Sequence, residues 1–251
     1  MGSVIEPGCV LTFKQCDLPG PARFLEPVRR RGHGDLWYLA FKRRGGHGPW
    51  AGVNNRGVAF VAADAYLDEE TEDMLGPIGN VFEGYARIVA EHTSAASVVD
   101  YMLDFYEERG APDILLVSDL EGAYLIEHSP VDGTRIAHHP VGHFAATNHY
   151  RMLPGAVDSH VDRSTYARLA RAEEILDGDA SLDGIHTLLS DQEFGETEMS
   201  ICRVAEEPGE YHTQAAVIFR VEDGRIDCSY LLNGNPRSRP FSEWQDVFAG
   251  R

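Results

Sequence analysis

The stretch WAGVNNRGVAFVAA, residues Trp50–Ala63, contains two apolar runs separated by the tetrapeptide Asn-Asn-Arg-Gly. Asparagine and glycine tolerate the positive φ angles of a tight turn, so this pattern predicts a β-hairpin. A second hairpin is predicted where DILLVSD (Asp113–Asp119) and GAYLIEH (Gly122–His128) are joined by only two residues. Short connections of this kind pair neighbouring strands antiparallel, so the hairpins indicate antiparallel sheets rather than β-α-β crossovers.

The rest of the chain contains further strand-like and helix-like segments. Four more segments have the apolar character of strands: Cys9–Gln15, Asp35–Arg44, Ala215–Arg220 and Arg225–Leu232. Three segments show helical spacing of apolar residues: Glu83–Glu108, Asp162–Asp177 and Leu182–Ser190. The first is broken around His92–Ser94, where Thr93 or Ser94 can cap its second half. This order predicts an α+β fold with two antiparallel sheets between helical layers. No linker divides residues 1–251, so one domain is expected.

The composition excludes several classes of protein. The 251 residues include 40 acidic and 22 basic ones, for a net charge of −18. Such a surface repels phosphate backbones, so no nucleic-acid partner is expected. No apolar run approaches the roughly 18–20 residues that span a bilayer, and the start MGSVIEPGC has no secretory signal. We therefore expect a cytoplasmic protein with no membrane partner, and we leave open whether it forms a homo-oligomer.

The basic residues are almost all arginine, since Lys14 and Lys42 are the only lysines. An acidic excess with scarce lysine suits a protein of strong salt, where carboxylates keep the surface hydrated and salt screens their repulsion. A GC-rich genome that encodes arginine in place of lysine is the alternative explanation.

The cysteines and histidines do not form a recognisable metal motif. Four cysteines stand at positions 9, 16, 202 and 228, without the C-x-x-C spacing of zinc or redox sites. The histidines, including the pair His138-His139, do not give the H-x-x-x-H spacing on a predicted helix that zinc favours. We therefore expect no cofactor, and each cysteine is either a small buried hydrophobe or a nucleophile.

Five short strings occur in a fixed order along most of the chain. They are GCVLTF (8–13), WAGVNNRGV (50–58), LLVSDLEGA followed by IEHSP (115–130), ATNHY (146–150) and DRSTYAR (162–168). Together they resemble the N-terminal-nucleophile amide hydrolases, in particular the penicillin acyltransferase-like and choloylglycine hydrolase-like group. The resemblance implies a four-layer αββα sandwich of two antiparallel sheets. It also implies a cysteine-nucleophile hydrolase or acyltransferase that acts on a linear amide or acyl bond of a small molecule.

In the resembled family the nucleophilic cysteine begins the mature chain, and the resemblance gives this role to Cys9. Residues 1–8 would then be a short propeptide, with Gly8 giving the scissile bond conformational room. An α-amino group has a pKa near neutrality, so that of a released Cys9 can take the thiol proton. The resemblance assigns the amide that stabilises the oxyanion to Asn148, and Asp64 stands where the family has a second asparagine.

A basic residue and an aspartate usually end the family's second strand, in the pattern R-N-x-D or K-N-R-D. Lys42 matches the basic position and is therefore predicted to be catalytic, but Gly45 replaces the aspartate. A later arginine of the family is replaced by Thr165. These replacements favour an alternative function, that of a hydrolytically inactive fold relative that binds a small molecule.

A different alignment of the same motif changes the predicted nucleophile. It uses Arg31 as the basic residue and Asp35 as the aspartate, and it makes Cys16 the nucleophile in place of Cys9. This alignment leaves the basic run Lys42–Arg44 unexplained, so Cys9 remains the predicted nucleophile and Cys16 is the minor alternative.

Six residues near these strings are expected to bind substrate: Arg44, Asn54, Asp64, His149, Ser164 and Arg168. Arg44 and its basic neighbours offer positive charge to a substrate carboxylate. His149 adjoins Asn148, but a structural role is favoured for it because the resembled enzymes use the chain's own amine as the base.

Overall fold

The computed structural model describes residues 1–65, 81–153, 163–204 and 210–249. Its strands are β1 (Gly2–Glu6), β2 (Cys9–Pro19), β3 (Phe24–Leu25), β4 (Arg30–Arg31), β5 (Trp37–Arg43), β6 (Pro49–Asn54), β7 (Ala59–Ala63), β8 (Asp113–Asp119), β9 (Gly122–Ser129), β10 (Gly133–His139), β11 (Gly142–Ala145), β12 (Tyr211–Glu222), β13 (Arg225–Leu232) and β14 (Gln245–Asp246). Its helices are α1 (Phe82–Glu91), α2 (Ala95–Arg109), α3 (Arg163–Gly178) and α4 (Leu182–Leu189).

The strands form two antiparallel sheets. One has the order β11-β1-β2-β12-β13-β14, and the other has the order β10-β9-β8-β7-β6-β5-β3, with β4 also paired to β5. Their inner faces meet in a core that includes Phe41 and Phe219. Helices α1 and α2 cover the outer face of the second sheet through Ile88 and Met102, and α3 and α4 cover the first. The predicted α+β class and four-layer αββα sandwich are confirmed.

The hairpin of β6 and β7 is closed by the side chain of Asn54, which is fully buried. Its Oδ1 accepts hydrogen bonds from the backbone N–H groups of Arg56 and Val58, at 3.0 and 3.2 Å. Its Nδ2 donates to the carbonyls of Val89 and His92, at 3.1 and 2.7 Å. All its polar atoms are engaged in joining the turn to α1, so the prediction that Asn54 binds substrate is corrected to a structural role.

The break between the first two helices falls where the sequence predicted it. Ser94 is the N-cap of α2, and its Oγ accepts a hydrogen bond from the N–H of Ser97 at 3.2 Å. The predicted first residue of α3, Asp162, lies outside the described residues. Within the ranges described above, no helix is both long and apolar enough to cross a membrane.

Strand β1 was not predicted, because its residues were assigned to a propeptide. It lies inside its sheet, between β2 and β11. Gly2 is required there, since a Cβ atom would come within 2.5 Å of the Phe144 carbonyl oxygen and 2.6 Å of the Phe13 ring. The structure therefore gives residues 1–8 the role of an inner strand and its turn, and their removal would open the sheet.

A buried carboxyl group, Asp113, joins the second sheet to its two helices. The hydroxyls of Tyr85 on α1 and Tyr106 on α2 both donate to this carboxyl, which is 1% exposed. Burial raises the pKa of Asp113 from 3.8 to about 7. The folded protein therefore holds a proton between about pH 4 and 7 that the unfolded chain releases.

This proton uptake makes a prediction about stability. We expect wild type to lose stability relative to Asp113→Asn as the pH rises from 5 to 7.5, by up to a few kcal/mol, because only in wild type does unfolding release a proton that the folded protein binds. Urea unfolding of both proteins at several pH values measures the difference. Burial lowers the pKa of histidines such as His128 to about 4, and these histidines affect the stability of both proteins. Their contribution therefore cancels in the difference between wild type and Asp113→Asn. Parallel curves for the two proteins would contradict the prediction.

Candidate active site

A cavity opens at one end of the space between the two sheets, beside the second half of β2. Its polar lining includes Lys14, Gln15, Cys16, Asp17, Arg43, His47, Asp64, Thr147, Asn148, Arg168 and Arg203. Its apolar lining includes Met1, Phe13, Leu18, Trp50, Phe82, Tyr85 and Ile201. The cavity thus brings a thiol, an amide and several charges next to aromatic surface.

Residues of both parities in β2 line the cavity, and the alternation of the strand decides which of them do so from between the two sheets. The hydroxyl of Thr12 lies 2.6 Å from that of Ser118 on the facing sheet, so even-numbered residues point between the sheets. Phe13 points the other way and packs under α3 and α4. Lys14 and Cys16 share the parity of Thr12, and both line the cavity.

Asn148 is fixed at both ends of its amide group. Its Nδ2 donates to the backbone carbonyl of Asp64, at 2.8 Å, and its Oδ1 accepts from Nη2 of Arg168, at 3.5 Å. Arg168 itself is 7% exposed and also donates from Nε to the carbonyl of Ser164 at 3.2 Å. An amide nitrogen carries two hydrogens, so the second N–H of Asn148 can serve a ligand. The structure therefore brings together three predicted site residues, Asn148, Asp64 and Arg168.

The amino nitrogen of Met1 lies at the same wall of the cavity. It donates to the carbonyl of Ala146 at 3.0 Å, and the Ala146 N–H donates back to the Met1 carbonyl at 2.8 Å. Burial lowers the pKa of this amino group to about 4, and the positive charges of Lys14 and Arg168 act in the same direction. At neutral pH the nitrogen is therefore uncharged and can accept a proton.

A buried polar network supports the floor of the cavity. Arg203, 1% exposed, donates from Nη2 to the hydroxyl of Ser164 at 2.9 Å, and its Nε lies 3.7 Å from Oδ2 of Asp17. Thr213 donates to Asp17 Oδ1 at 2.8 Å and accepts from Gln15 at 2.7 Å. Ser164 thus holds Arg203 from behind the cavity, which corrects the prediction that it binds substrate.

Comparisons with known proteins agree with this architecture. No family model matches the sequence, and no curated protein is significantly similar to it. Solved structures do match. A variant of conjugated bile acid hydrolase from Clostridium perfringens superposes with a TM-score of 0.61 at 13% identity, over 98% of this chain and 92% of that chain. Penicillin V acylase from Agrobacterium tumefaciens superposes with a TM-score of 0.57 at 13% identity, over 98% and 85%.

A third match comes from an animal protein. The Caenorhabditis elegans ortholog of N-acylethanolamine-hydrolyzing acid amidase superposes with a TM-score of 0.59 at 11% identity, over 87% of this chain and 92% of that one. The fold is that of the N-terminal-nucleophile hydrolases. The resemblance read from the five sequence strings is therefore confirmed for the fold.

In this N-terminal-nucleophile hydrolase fold, Cys9 lies far from the cavity. It opens β2 next to the turn at Pro7-Gly8 and pairs with Glu6. Seven residue steps along the extended strand separate it from Cys16, a distance of roughly 20 Å. Its thiol donates to Oε1 of Glu222 at 3.8 Å, and burial together with that carboxylate raises the pKa of Cys9. The structure thus does not bring Cys9 to Asn148, which corrects the predicted catalytic pair.

The basic residues of β5 are arranged differently from the prediction. Phe41 points into the inter-sheet core, so Arg43 shares its face and lines the cavity. Lys42 and Arg44 have the opposite parity and are exposed. The predicted catalytic role of Lys42 and the predicted substrate-binding role of Arg44 are therefore corrected, and Arg43 is the residue of this run that reaches the site.

His149 is buried behind the cavity rather than facing it. Its ring stacks on Tyr166 with centroids 4.1 Å apart, and its Nδ1 lies 3.0 Å from the Thr147 hydroxyl. Burial lowers the pKa of His149 to about 4, so the ring is neutral. This packing agrees with the structural role favoured for it and corrects its inclusion among the substrate-binding residues.

Three charged residues of the cavity, Lys14, Asp17 and Arg203, were missed by the sequence analysis. The first two carried a usable signal, since Lys14-Gln15-Cys16-Asp17 has the basic–amide–x–aspartate pattern that was sought at Lys42–Gly45. The pattern lies in the strand β2, which continues to Pro19, beyond its predicted end at Gln15. Arg203 lies in a loop and carried no signal. In the described part of the chain, no group of three or more His, Cys, Asp or Glu residues could hold a metal ion.

Proposed function

We propose that this chain is a cysteine hydrolase or acyltransferase of amide or acyl bonds in a small molecule, with the inter-sheet cavity as its active site and Cys16 as its nucleophile. The observation that carries the proposal is the shared cavity, which both the thiol of Cys16 and the immobilised amide of Asn148 line. The solved neighbours with this fold include hydrolases and an acylase, which supports the same reaction class.

The groups of the cavity can be assigned to the steps of acyl transfer. The Cys16 sulfur attacks the substrate carbonyl carbon while its proton passes to the neutral amino nitrogen of Met1. The second N–H of Asn148 donates to the oxyanion that forms. The C–N bond then breaks, and the leaving amine takes the proton. Water, or an acceptor amine in acyl transfer, attacks the thioester and frees the thiol.

Binding without turnover is the second candidate function, and one observation favours it. Burial raises the pKa of the Cys16 thiol to about 12, although the charges of Lys14 and Arg43 act in the opposite direction. The thiol is therefore protonated at neutral pH, and the Met1 amino group is a weak base. Such a cavity would hold a small molecule without cleaving it.

Release of Cys9 as an N-terminal nucleophile receives less support. Cleavage before Cys9 would cut the turn between β1 and β2 and create the new amine roughly 20 Å along β2 from Cys16, outside the cavity that Asn148 lines. It would also detach β1 from between its two neighbours. The intact mass of the purified protein tests this directly, and we expect residues 2–8 to be retained.

The nucleophile is tested by two matched cysteine substitutions on the same strand. Across a panel of chromogenic amides and thioesters, we expect Cys16→Ala to lose activity by about 10³-fold or more and Cys9→Ala to retain it. Trapping of an acyl adduct on Cys16, seen by mass spectrometry, would identify the intermediate. Unchanged turnover by Cys16→Ala, or a selective loss in Cys9→Ala, would overturn the assignment. Ligand binding by both variants with no turnover in wild type would support the second candidate.

A further inference from the structure

Two of the lysine and arginine side chains that line the cavity have no hydrogen bond or ion pair with a described residue. Lys14 is only 8% exposed, and in the described ranges its ammonium group has no hydrogen bond or ion pair. The Arg43 guanidinium, on the facing sheet, likewise has none with any described residue. By contrast, Arg168 is bonded to Asn148 and Arg203 to Ser164. An ammonium group that lines a cavity without a protein partner is available to a ligand that carries negative charge.

The two cations are placed to act on one group. Lys14 comes from β2 of one sheet and Arg43 from β5 of the other, so they approach the cavity from opposite sides. Both exert their charge on the thiol of Cys16, which therefore lies within electrostatic range of each. A chain with a net charge of −18 nevertheless keeps these cations together at the one cavity that holds its candidate nucleophile.

We propose that Lys14 and Arg43 form a carboxylate-binding subsite, so that the substrate or ligand of this cavity is a carboxylate-bearing small molecule. The guanidinium can bind a planar carboxylate in a bidentate manner, and the ammonium group adds a second charge-assisted hydrogen bond. The aromatic wall of Trp50, Phe82 and Tyr85 lines the same cavity and suits an apolar or aromatic remainder of the molecule. This inference deepens the function proposed above, since it names the substrate class.

An anion bound at the subsite is expected to change the reactivity of the Cys16 thiol. The positive charges of Lys14 and Arg43 lower the pKa of the Cys16 thiol, and an anion bound between them removes part of that effect. Carboxylates that bind most tightly should therefore slow alkylation of Cys16 by iodoacetamide. The subsite is therefore tested by measuring ligand binding to a variant that lacks the Cys16 thiol and cannot cleave the ligand.

The test uses the full chain with Cys16→Ala and measures binding by calorimetry at fixed salt. Phenylacetate, its neutral analogue phenylacetamide and phenyl phosphate are the probes. We expect phenylacetate to bind at least about tenfold more tightly than phenylacetamide, and Lys14→Met or Arg43→Met to remove that preference. Lys42→Met, an exposed neighbour of Arg43 on β5, is the matched control and should bind like the parent.

Several outcomes would overturn the subsite. They are equal binding of phenylacetate and phenylacetamide, an equal loss in Lys42→Met, or tighter binding of phenyl phosphate, which would assign the cations to phosphate. Using Arg43→Met beside Lys14→Met keeps the test decisive if one variant fails to fold. Carboxylate binding by Cys16→Ala, with no turnover in wild type, would leave the subsite standing while the proposed hydrolase function fails.

Discussion

Replacing Asn148 by alanine is expected to lower kcat by about 10²–10³-fold while changing KM little, as for the loss of one oxyanion donor. The side-chain amide is held by Asp64 and Arg168, so it is already oriented before substrate binds. A donor fixed in this way stabilises the transition state more than the ground state. Steady-state kinetics on the best substrate of the panel measure the effect.

The control for this experiment is Asn55→Ala. Asn55 lies at the β6–β7 turn, where its Oδ1 accepts from the N–H of Trp37 at 2.8 Å, and it does not line the cavity. We expect the control to cost some stability and to leave kcat per folded molecule unchanged. A kcat for Asn148→Ala within about threefold of wild type, or a loss confined to KM, would show that this amide binds substrate instead of the oxyanion.

Replacing Arg203 by leucine is expected to lower the free energy of unfolding by about 3–5 kcal/mol, the range measured when one partner of a buried ion pair is removed. The substitution removes the ion pair with Asp17 and the hydrogen bond from the guanidinium to the hydroxyl of Ser164. It also removes the guanidinium that lies 5.7 Å from the ring of Tyr211. Urea unfolding followed by circular dichroism measures the loss.

Two comparisons make this second prediction specific. Arg56→Leu breaks an ion pair with Asp35 in which both side chains are exposed, and it should cost at most about 1 kcal/mol. Adding Asp17→Asn to Arg203→Leu should recover part of the stability, because it removes the uncompensated charge. Equal losses of unfolding free energy in Arg56→Leu and Arg203→Leu would show that the buried ion pair of Arg203 stabilises the protein no more than an exposed pair does.

The sequence allowed the hairpins and helices to be predicted because their signals are local. The Asn-Asn-Arg-Gly turn and the cap at Ser94 each act within a few residues, and both elements form where predicted. Strand β1 could not be predicted in the same way. Its place depends on pairing with β11, more than a hundred residues away, and on the space that Gly2 leaves for Phe13.

The site was harder to predict because its residues depend on which way each side chain points and on where each strand ends. Arg43 and Lys42 differ by one position, and only the inward packing of Phe41 shows which of them reaches the cavity. Asn54 fits a substrate-binding motif and a turn equally well in sequence. Its contacts with the carbonyls of Val89 and His92 come from a helix that begins nearly thirty residues later.

The position of Met1 has a practical consequence for anyone preparing this protein. Its amino nitrogen is enclosed and bonded to the Ala146 carbonyl at the wall of the cavity. An affinity tag or a leftover protease-site residue fused ahead of Met1 would be forced into the space where a ligand should sit. An inactive tagged preparation would then reflect an obstructed cavity, so assays belong on protein whose first residues have been verified after purification.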